Sequence, residues 1–200
     1  MQIIRTLAAA SAAMLLLAAL PASAQDRTKQ LRGDYAFTGT AVCTSSPAGF
    51  SPSFVPLGGT SESSFGTTGV VTFNGDGTGT LQGRTVTQPG AVQGLQPGTV
   101  QALDTVIPIT YSVAADRTLT VVQGTSLNTF VAGTFAGLQN SSSGVPPFVG
   151  HLSSDRKSIV FGSFDPGVET LTSPSGPGLN QRICFRSFTA IRITASDDDN

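Results

Sequence analysis

The chain has 200 residues, of which 12 % are charged, and its formal net charge at pH 7 is −1. Such a composition holds no basic patch of the kind that nucleic acid requires, which excludes a nucleic-acid-binding protein. The 23 glycines and 12 prolines, with abundant Thr, Ser and Val, favour an all-β protein in which many short strands are joined by turns.

Residues 1–24 have the pattern of a secretory signal peptide. The basic residue Arg5 precedes an apolar stretch from Leu7 to Leu20, and Ala22-Ser23-Ala24 forms a small-residue cleavage site. The apolar stretch is short for a membrane span, so we expect no stable membrane insertion. We expect cleavage before Gln25 and export of a single mature domain, residues 25–200, to the periplasm or the extracellular space.

Alternation of apolar and polar residues with a period of two predicts the strands of the mature chain, and clusters of Gly, Pro, Asn and Asp predict the turns. The predicted strands are 31–43, 66–73, 78–86, 106–113, 118–123, 127–135, 148–152, 158–164 and 181–194. Long loops rich in Ser, Pro and Gly are predicted at 44–65, 87–104 and 166–180. A single helical turn near 95–103 is the only helix that we expect, and the chain ends in an acidic tail.

Most of these strands follow one another closely along the chain, which is typical of an antiparallel meander. We therefore predict an eight- or nine-stranded antiparallel up-and-down β-barrel, with a two-sheet β-sandwich as the alternative. An outer-membrane barrel is disfavoured, because the chain ends in Asp-Asp-Asp-Asn and its strand faces show no sustained lipid-facing band.

The two cysteines of the chain, Cys43 and Cys184, lie in the first and last predicted strands. An exported protein meets an oxidising compartment, so these residues predict a disulfide that closes the fold; two free thiols are the alternative. If the cysteines face each other across antiparallel strands, Gly39 lies opposite Phe188. An aromatic ring over a strand glycine is a favourable cross-strand pair, which supports this register.

The first long loop carries the apolar side chains Phe50, Phe54, Val55 and Leu57. They either pack over one end of the barrel as a plug or form an exposed functional surface. We take Phe50, Phe54 and Leu57, with the only histidine, His151, as candidate ligand-binding residues. His151 has no second ligand at metal-site spacing, so no metal site is predicted. The chain contains no Gly-x-Ser-x-Gly nucleophile elbow, and we predict neither a catalytic residue nor a cofactor.

The segment Gly33-Asp34-Tyr35 at the start of the first strand, with an arginine on the last strand, resembles the lipocalin/calycin arrangement. In that family Gly-x-Trp opens the first strand, and an arginine near the chain end packs over the aromatic ring. Here Tyr35 replaces the tryptophan, the disulfide register sets Arg192 opposite it, and no C-terminal helix is predicted. Avidin-like and allene-oxide-cyclase-like barrels share the meander. The resemblance implies a pocket for a small apolar ligand in the barrel interior or mouth.

Three hypotheses on function follow. The first is an exported barrel that binds a small apolar ligand. The alternatives are a structural or interaction module of the cell envelope without a ligand, and an isomerase- or cyclase-like barrel enzyme; a role without catalysis is favoured. An empty interior of roughly a few hundred Å³ would indicate the first, an interior filled by Phe and Ile the second, and buried polar groups converging on a cleft the third.

Overall fold

The computed structural model describes residues 27–90, 99–163, 165–172 and 179–193. The predicted signal peptide, the acidic tail and residues 95–98 of the predicted helical turn lie outside the described residues. A 3-10 turn, Thr28–Gln30, precedes eleven antiparallel β-strands. The strands are β1 (Arg32–Ser46), β2 (Ser61–Asn74), β3 (Thr78–Pro89), β4 (Gln101–Val113), β5 (Thr118–Gln123), β6 (Ser126–Ala132), β7 (Gln139–Ser143), β8 (Phe148–Leu152), β9 (Ser158–Ser163), β10 (Glu169–Thr172) and β11 (Leu179–Arg192). The described part of the chain contains no helix long and apolar enough to cross a membrane.

The eleven strands occupy eight positions around one closed barrel. β1, β2, β3, β4 and β11 are continuous, whereas three composite strands each consist of two short strands in line: β5 with β6, β7 with β8, and β9 with β10. β4, for example, pairs with β5 through residues 109–113 and with β6 through residues 102–106. Each position pairs with the next along the chain, and β11 pairs with β1. The predicted antiparallel up-and-down barrel is therefore confirmed, in its eight-stranded form and not as a sandwich.

Prolines accompany the interruption of every composite strand. Gly124, after β5, donates its backbone N–H to the carbonyl oxygen of Pro108 at 2.8 Å. Pro108 has no backbone N–H and cannot donate the second hydrogen bond of the pair, so the ladder between β4 and its neighbour breaks at this point. Pro146 and Pro147 separate β7 from β8, and Pro166 lies between β9 and β10. Because the composite strands are neighbours in the sheet, the interruptions form one band across the barrel wall.

The barrel has two different ends, which we call lower and upper. The lower end carries the tight turns 75–77, 114–117 and 153–157. The 3-10 turn lies at this end, and the Tyr111 hydroxyl holds the adjoining chain in place. It donates to the Leu31 carbonyl oxygen at 2.7 Å and accepts from the Gly75 N–H at 2.8 Å. The strands on either side of the longer connections 47–60, 90–100, 133–138 and 173–178 end or begin at the upper end.

Side chains alternate between the barrel interior and the outer face along each strand. On β4, for example, Ile107, Ile109 and Tyr111 are buried and alternate with exposed Pro108 and Thr110. An apolar cluster of 18 residues fills the lower half of the interior. Its largest fully buried members include Tyr35, Phe73 and Phe148.

The barrel closes through the pairing of β1 with β11. Cys43 and Cys184 form a disulfide with their Cα atoms 4.1 Å apart, which confirms the predicted bond. The register is also the predicted one, with Gly39 opposite Phe188. A Cβ atom added to Gly39 would lie 2.1 Å from Cδ1 of Phe188, so the ring occupies the space above the glycine.

The strands extend further toward the upper end than the sequence predicts. β1 continues to Ser46, β2 begins at Ser61 and β4 begins at Gln101. β10 lies within a predicted loop, and β7 lies in a segment without a predicted strand. Buried residues of these extensions are polar, as at Ser46, Gln101 and Ser142. The apolar alternation therefore stops before the hydrogen-bonded ladder does.

Candidate functional site

The upper half of the barrel encloses a cavity of about 220 Å³. Its floor is the top of the apolar core, formed by Phe37, Leu81, Ile107 and Phe188. The remaining lining residues are Phe65, Thr67, Gly83, Thr85, Thr87, Gln101, Leu103, Thr105, Gln123, Ser126, Asn128, Phe130, Asn140, Ser142, Val145, Leu171, Arg182 and Arg186.

The cavity exists because the inward side chains become smaller toward the upper end. The interior of an eight-stranded barrel is just wide enough for large side chains to fill it. Aromatic and branched aliphatic residues do so in the lower half. On β2 and β3, apart from Phe65, the upper lining positions hold Thr67, Gly83, Thr85 and Thr87, which are too small to reach the opposite wall.

One side of the cavity, the amide–hydroxyl wall, consists of Thr105, Ser126, Asn128, Asn140 and Ser142 from β4, β6 and β7. The Thr105 hydroxyl donates to Oδ1 of Asn128 at 2.8 Å, and Nδ2 of Asn128 donates to Oδ1 of Asn140 at 2.9 Å. The hydroxyl oxygens of Ser126 and Ser142 are 2.6 Å apart. Each amide has two donors and an acceptor oxygen. The network therefore orients the wall and retains capacity to bind a polar group.

The adjoining part of the cavity wall, the arginine wall, consists of Glu169 on β10 with Arg182 and Arg186 on β11. Nε of Arg182 donates to Oε2 of Glu169 at 2.8 Å, and Nη1 of Arg186 forms an ion pair with Oε1. Both guanidiniums lie beside the ring of Phe65, with their central carbons 5.8 Å and 5.7 Å from its centroid. In the strand register Ala41 lies between Arg186 and Phe65, and its small side chain permits this approach. β7 and β10 are neighbours in the sheet, so the two walls adjoin, and only Thr105 on β4 lies four strand positions from β11.

The charges of the arginine wall shift the pKa values of its groups. Burial alone would raise the pKa of the Glu169 carboxyl, but the charges and hydrogen bonds of Arg182 and Arg186 outweigh it, so this pKa is below its usual value. Burial lowers the pKa of Arg186 against the attraction of Glu169. An arginine remains protonated at neutral pH even so. The wall therefore holds two positive charges and one negative charge at pH 7.

The predicted ligand-binding residues lie elsewhere. Phe50 and Leu57, with Gln181, border a surface depression of about 290 Å³ at the upper end. Phe54 and Leu57 are 41 % and 61 % exposed, so these side chains form an exposed surface and do not pack as a plug over the end of the barrel. His151 is exposed on the outer face of β8. None of these four described side chains lines the cavity, and their role in binding stays a prediction.

Sequence reasoning misses the arginine wall. Glu169 lies in a segment that reads as a loop, and arginines on a strand are usually solvent-exposed. The arginines could have been found from the two-residue alternation of side chains along a β-strand. Cys184 faces Cys43 on the inward side of β11, and Arg182 and Arg186 lie two residues to either side of Cys184, on the same face.

Fold and site together define the class of protein: an eight-stranded up-and-down β-barrel with a partly polar internal cavity. Within the described residues, no group of three His, Cys, Asp or Glu side chains could hold a metal ion. No known protein family matches the sequence, and no curated protein sequence matches it. Among solved structures, the outer membrane protein OprG from Pseudomonas aeruginosa is similar over 82 % of this chain and 97 % of its own, with 11 % identity and a TM-score of 0.35. A likeness at this level carries no argument about function or location.

Proposed function

We propose that the protein is exported and that its mature barrel binds a small, largely apolar molecule in the cavity above the core. The main support is the cavity itself, a space of about 220 Å³ over an apolar floor in a barrel whose lower half is filled. For scale, an engineered apolar cavity of about 150 Å³ binds benzene. The space therefore suits a molecule of roughly eight to twelve non-hydrogen atoms.

The disulfide and the N-terminal pattern support export. The bond between Cys43 and Cys184 fits an oxidising compartment, because cytosolic proteins rarely keep such bonds. The sequence of residues 1–24 has the charged start, apolar stretch and cleavage site of a signal peptide. The ligand of the cavity is therefore a molecule present in the periplasm or the extracellular medium.

The lipocalin/calycin resemblance supports the class of ligand. Tyr35 at the start of β1 is fully buried and is the register partner of Arg192 on β11. Gly33 has a φ of +104°, a conformation that L side chains rarely adopt, which explains the glycine of the motif.

The two alternatives fit the interior less well. A structural module without a ligand would have a filled interior throughout, whereas Phe and Ile fill only the lower half. An isomerase- or cyclase-like enzyme needs a general acid or base with a pKa near the working pH. Glu169, the carboxylate of the arginine wall, has a lowered pKa instead, which favours a binding role for the wall.

Calorimetric titration of the oxidised mature protein with 1-octanol tests the proposal. We expect one molecule to bind per barrel. Thr85→Phe places a ring in the cavity, which Thr85 lines, and is expected to abolish binding. Val86→Phe changes the next residue, which is 48 % exposed on the outer face, and is expected to leave binding intact.

Circular dichroism of both variants verifies that each is folded. The proposed function is wrong if neither octanol nor octanoate binds the unmodified protein. It is also wrong if binding is as strong in Thr85→Phe as in Val86→Phe, because the ligand would then lie outside the cavity.

A further inference from the structure

Two guanidiniums line the cavity, and among the described residues they pair with a single carboxylate. Arg182 and Arg186 both line it, whereas Glu169, their carboxylate partner, does not. Glu169 is fully buried behind the guanidiniums. One carboxylate balances one of the two guanidinium charges, so the arginine wall has a net charge of +1.

Among the described residues, Glu169 is the only acid paired with either arginine. The four connections of the upper end, 47–60, 90–100, 133–138 and 173–178, contain no Asp or Glu. The sequence of these connections therefore adds no negative charge, and Glu62 near the start of β2 is exposed on the outer face.

An unbalanced charge inside a barrel is unfavourable unless a counter-charge enters. Arg186 is only 4 % exposed, so bulk water solvates it poorly. The ring of Phe65 stabilises both guanidiniums in part. Two guanidiniums have more N–H donors than the two oxygens of Glu169 can accept. Both arginines line the cavity, where an anionic group could reach them.

We propose that the cavity selects an amphiphile with an apolar tail and a single carboxylate head. The head binds Arg182 and Arg186, and the tail lies on the floor formed in part by Phe37 and Phe188. A planar carboxylate matches the donor geometry of a guanidinium, and its one negative charge balances the wall. This ligand class rests on the proposed function, because it specifies what the same cavity binds.

Three probes with the same tail separate the head group from the tail: octanoate, 1-octanol and octylamine. Titrations of the oxidised mature protein are run at pH 7 and low ionic strength. We expect octanoate to bind about tenfold to a hundredfold more tightly than octanol, because its hydrogen bonds are charge-assisted. Octylamine is expected to bind most weakly, since its ammonium meets a positive wall. A wall with a purely structural role would give no preference for octanoate.

Variants of the wall should change the preference in opposite directions. Arg182→Gln leaves Glu169 and Arg186 as a balanced pair, and the ratio of the octanoate and octanol affinities falls toward one. Glu169→Gln leaves both guanidiniums without a carboxylate, and the ratio rises. Arg84→Gln is the matched control: Arg84 pairs with Asp104 at 2.7 Å on the outer face, so the molecule loses the same charge and the ratio is unchanged.

The outcomes separate the two proposals. Equal affinities for octanoate and octanol overturn the carboxylate inference and leave the proposed function standing. No binding of any probe overturns both. A ratio that falls as much in Arg84→Gln as in Arg182→Gln also overturns the inference, because the effect would be one of overall charge. If Arg182→Gln does not fold, the ratio of the octanoate and octanol affinities of the unmodified protein alone tests the inference.

Discussion

Gly39 gives the ring of Phe188 its place against β1. This ring stacks on Phe161 with centroids 5.2 Å apart and meets the edges of Phe148 and Phe37 at 5.4 Å and 6.2 Å. An added methyl group at Gly39 would displace a ring that is held on its other sides. We expect Gly39→Ala to lower the free energy of unfolding by about 1–3 kcal/mol, as measured by urea denaturation.

Gly66→Ala is the matched control for this substitution. Gly66 lies on the outer face of β2, and a Cβ atom there has no heavy atom within 4 Å. We expect a change in unfolding free energy of less than about 0.5 kcal/mol. Equal stability of the two variants would show that the Phe188 ring does not occupy the space above Gly39.

Glu169 gives the molecule a defined sensitivity to acid. Although burial opposes the shift, Arg182 and Arg186 hold its pKa in the folded protein below the usual value of 4.5. The unfolded chain therefore takes up the proton at the higher pH. The stabilisation by ionised Glu169 is present above about pH 4.5 and is lost as the pH falls through the folded-state pKa. We expect the free energy of unfolding, measured by urea titration at a series of pH values, to fall in that window.

Two glutamine variants isolate this effect from the exposed aspartates, which titrate in the same range. Glu169→Gln removes the group, so its stability should depend less on pH below about 4.5. Glu62→Gln changes the only other glutamate, which is exposed on β2, and should keep the dependence of the unmodified protein. Identical pH profiles for the two variants would contradict the role of Glu169.

The composite strands differ in stability between their lower and upper members. β5, β8 and β9 contribute Leu119, Phe148 and Ile159 to the core, whereas β7 and β10 have 5 and 4 residues and contribute none to it. We expect backbone amides of β6, β7 and β10 to exchange with solvent faster than those of β5, β8 and β9, because local opening there exposes less apolar surface. Hydrogen exchange followed by mass spectrometry measures this. Equal protection along each composite strand would contradict it.

Sequence reasoning succeeds where the inward residues are apolar. In the lower half the alternation of apolar and polar residues marks the strands, and the turn at Asn74-Gly75-Asp76-Gly77 contains two glycines with positive φ, as its sequence predicts. In the upper half many inward residues are hydroxyls, amides and arginines, so the pattern that identifies a strand is weaker there. The cavity escapes prediction for the same reason, because the polar residues that hide the strands are the ones that line it.

The disulfide joins the two ends of the meander. It connects residues 141 positions apart, so it restricts most of the unfolded chain. We expect the double variant Cys43→Ala, Cys184→Ala to lose about 2–5 kcal/mol of unfolding free energy in guanidinium titrations. The unmodified protein under reducing conditions is the control and should show the same loss. Two titratable thiols in the native protein would contradict the bond.

Because the packed core lies in one half of the barrel and the cavity in the other, mutations act on the two halves under different constraints. A change among the large residues below the band of interruptions alters the folding equilibrium. A change among the threonines, serines and amides above the band alters mainly what fits inside. Natural variants and laboratory libraries should therefore tolerate many more substitutions at the upper inward positions. New ligand preferences can arise there by single mutations, without a compensating change in the core.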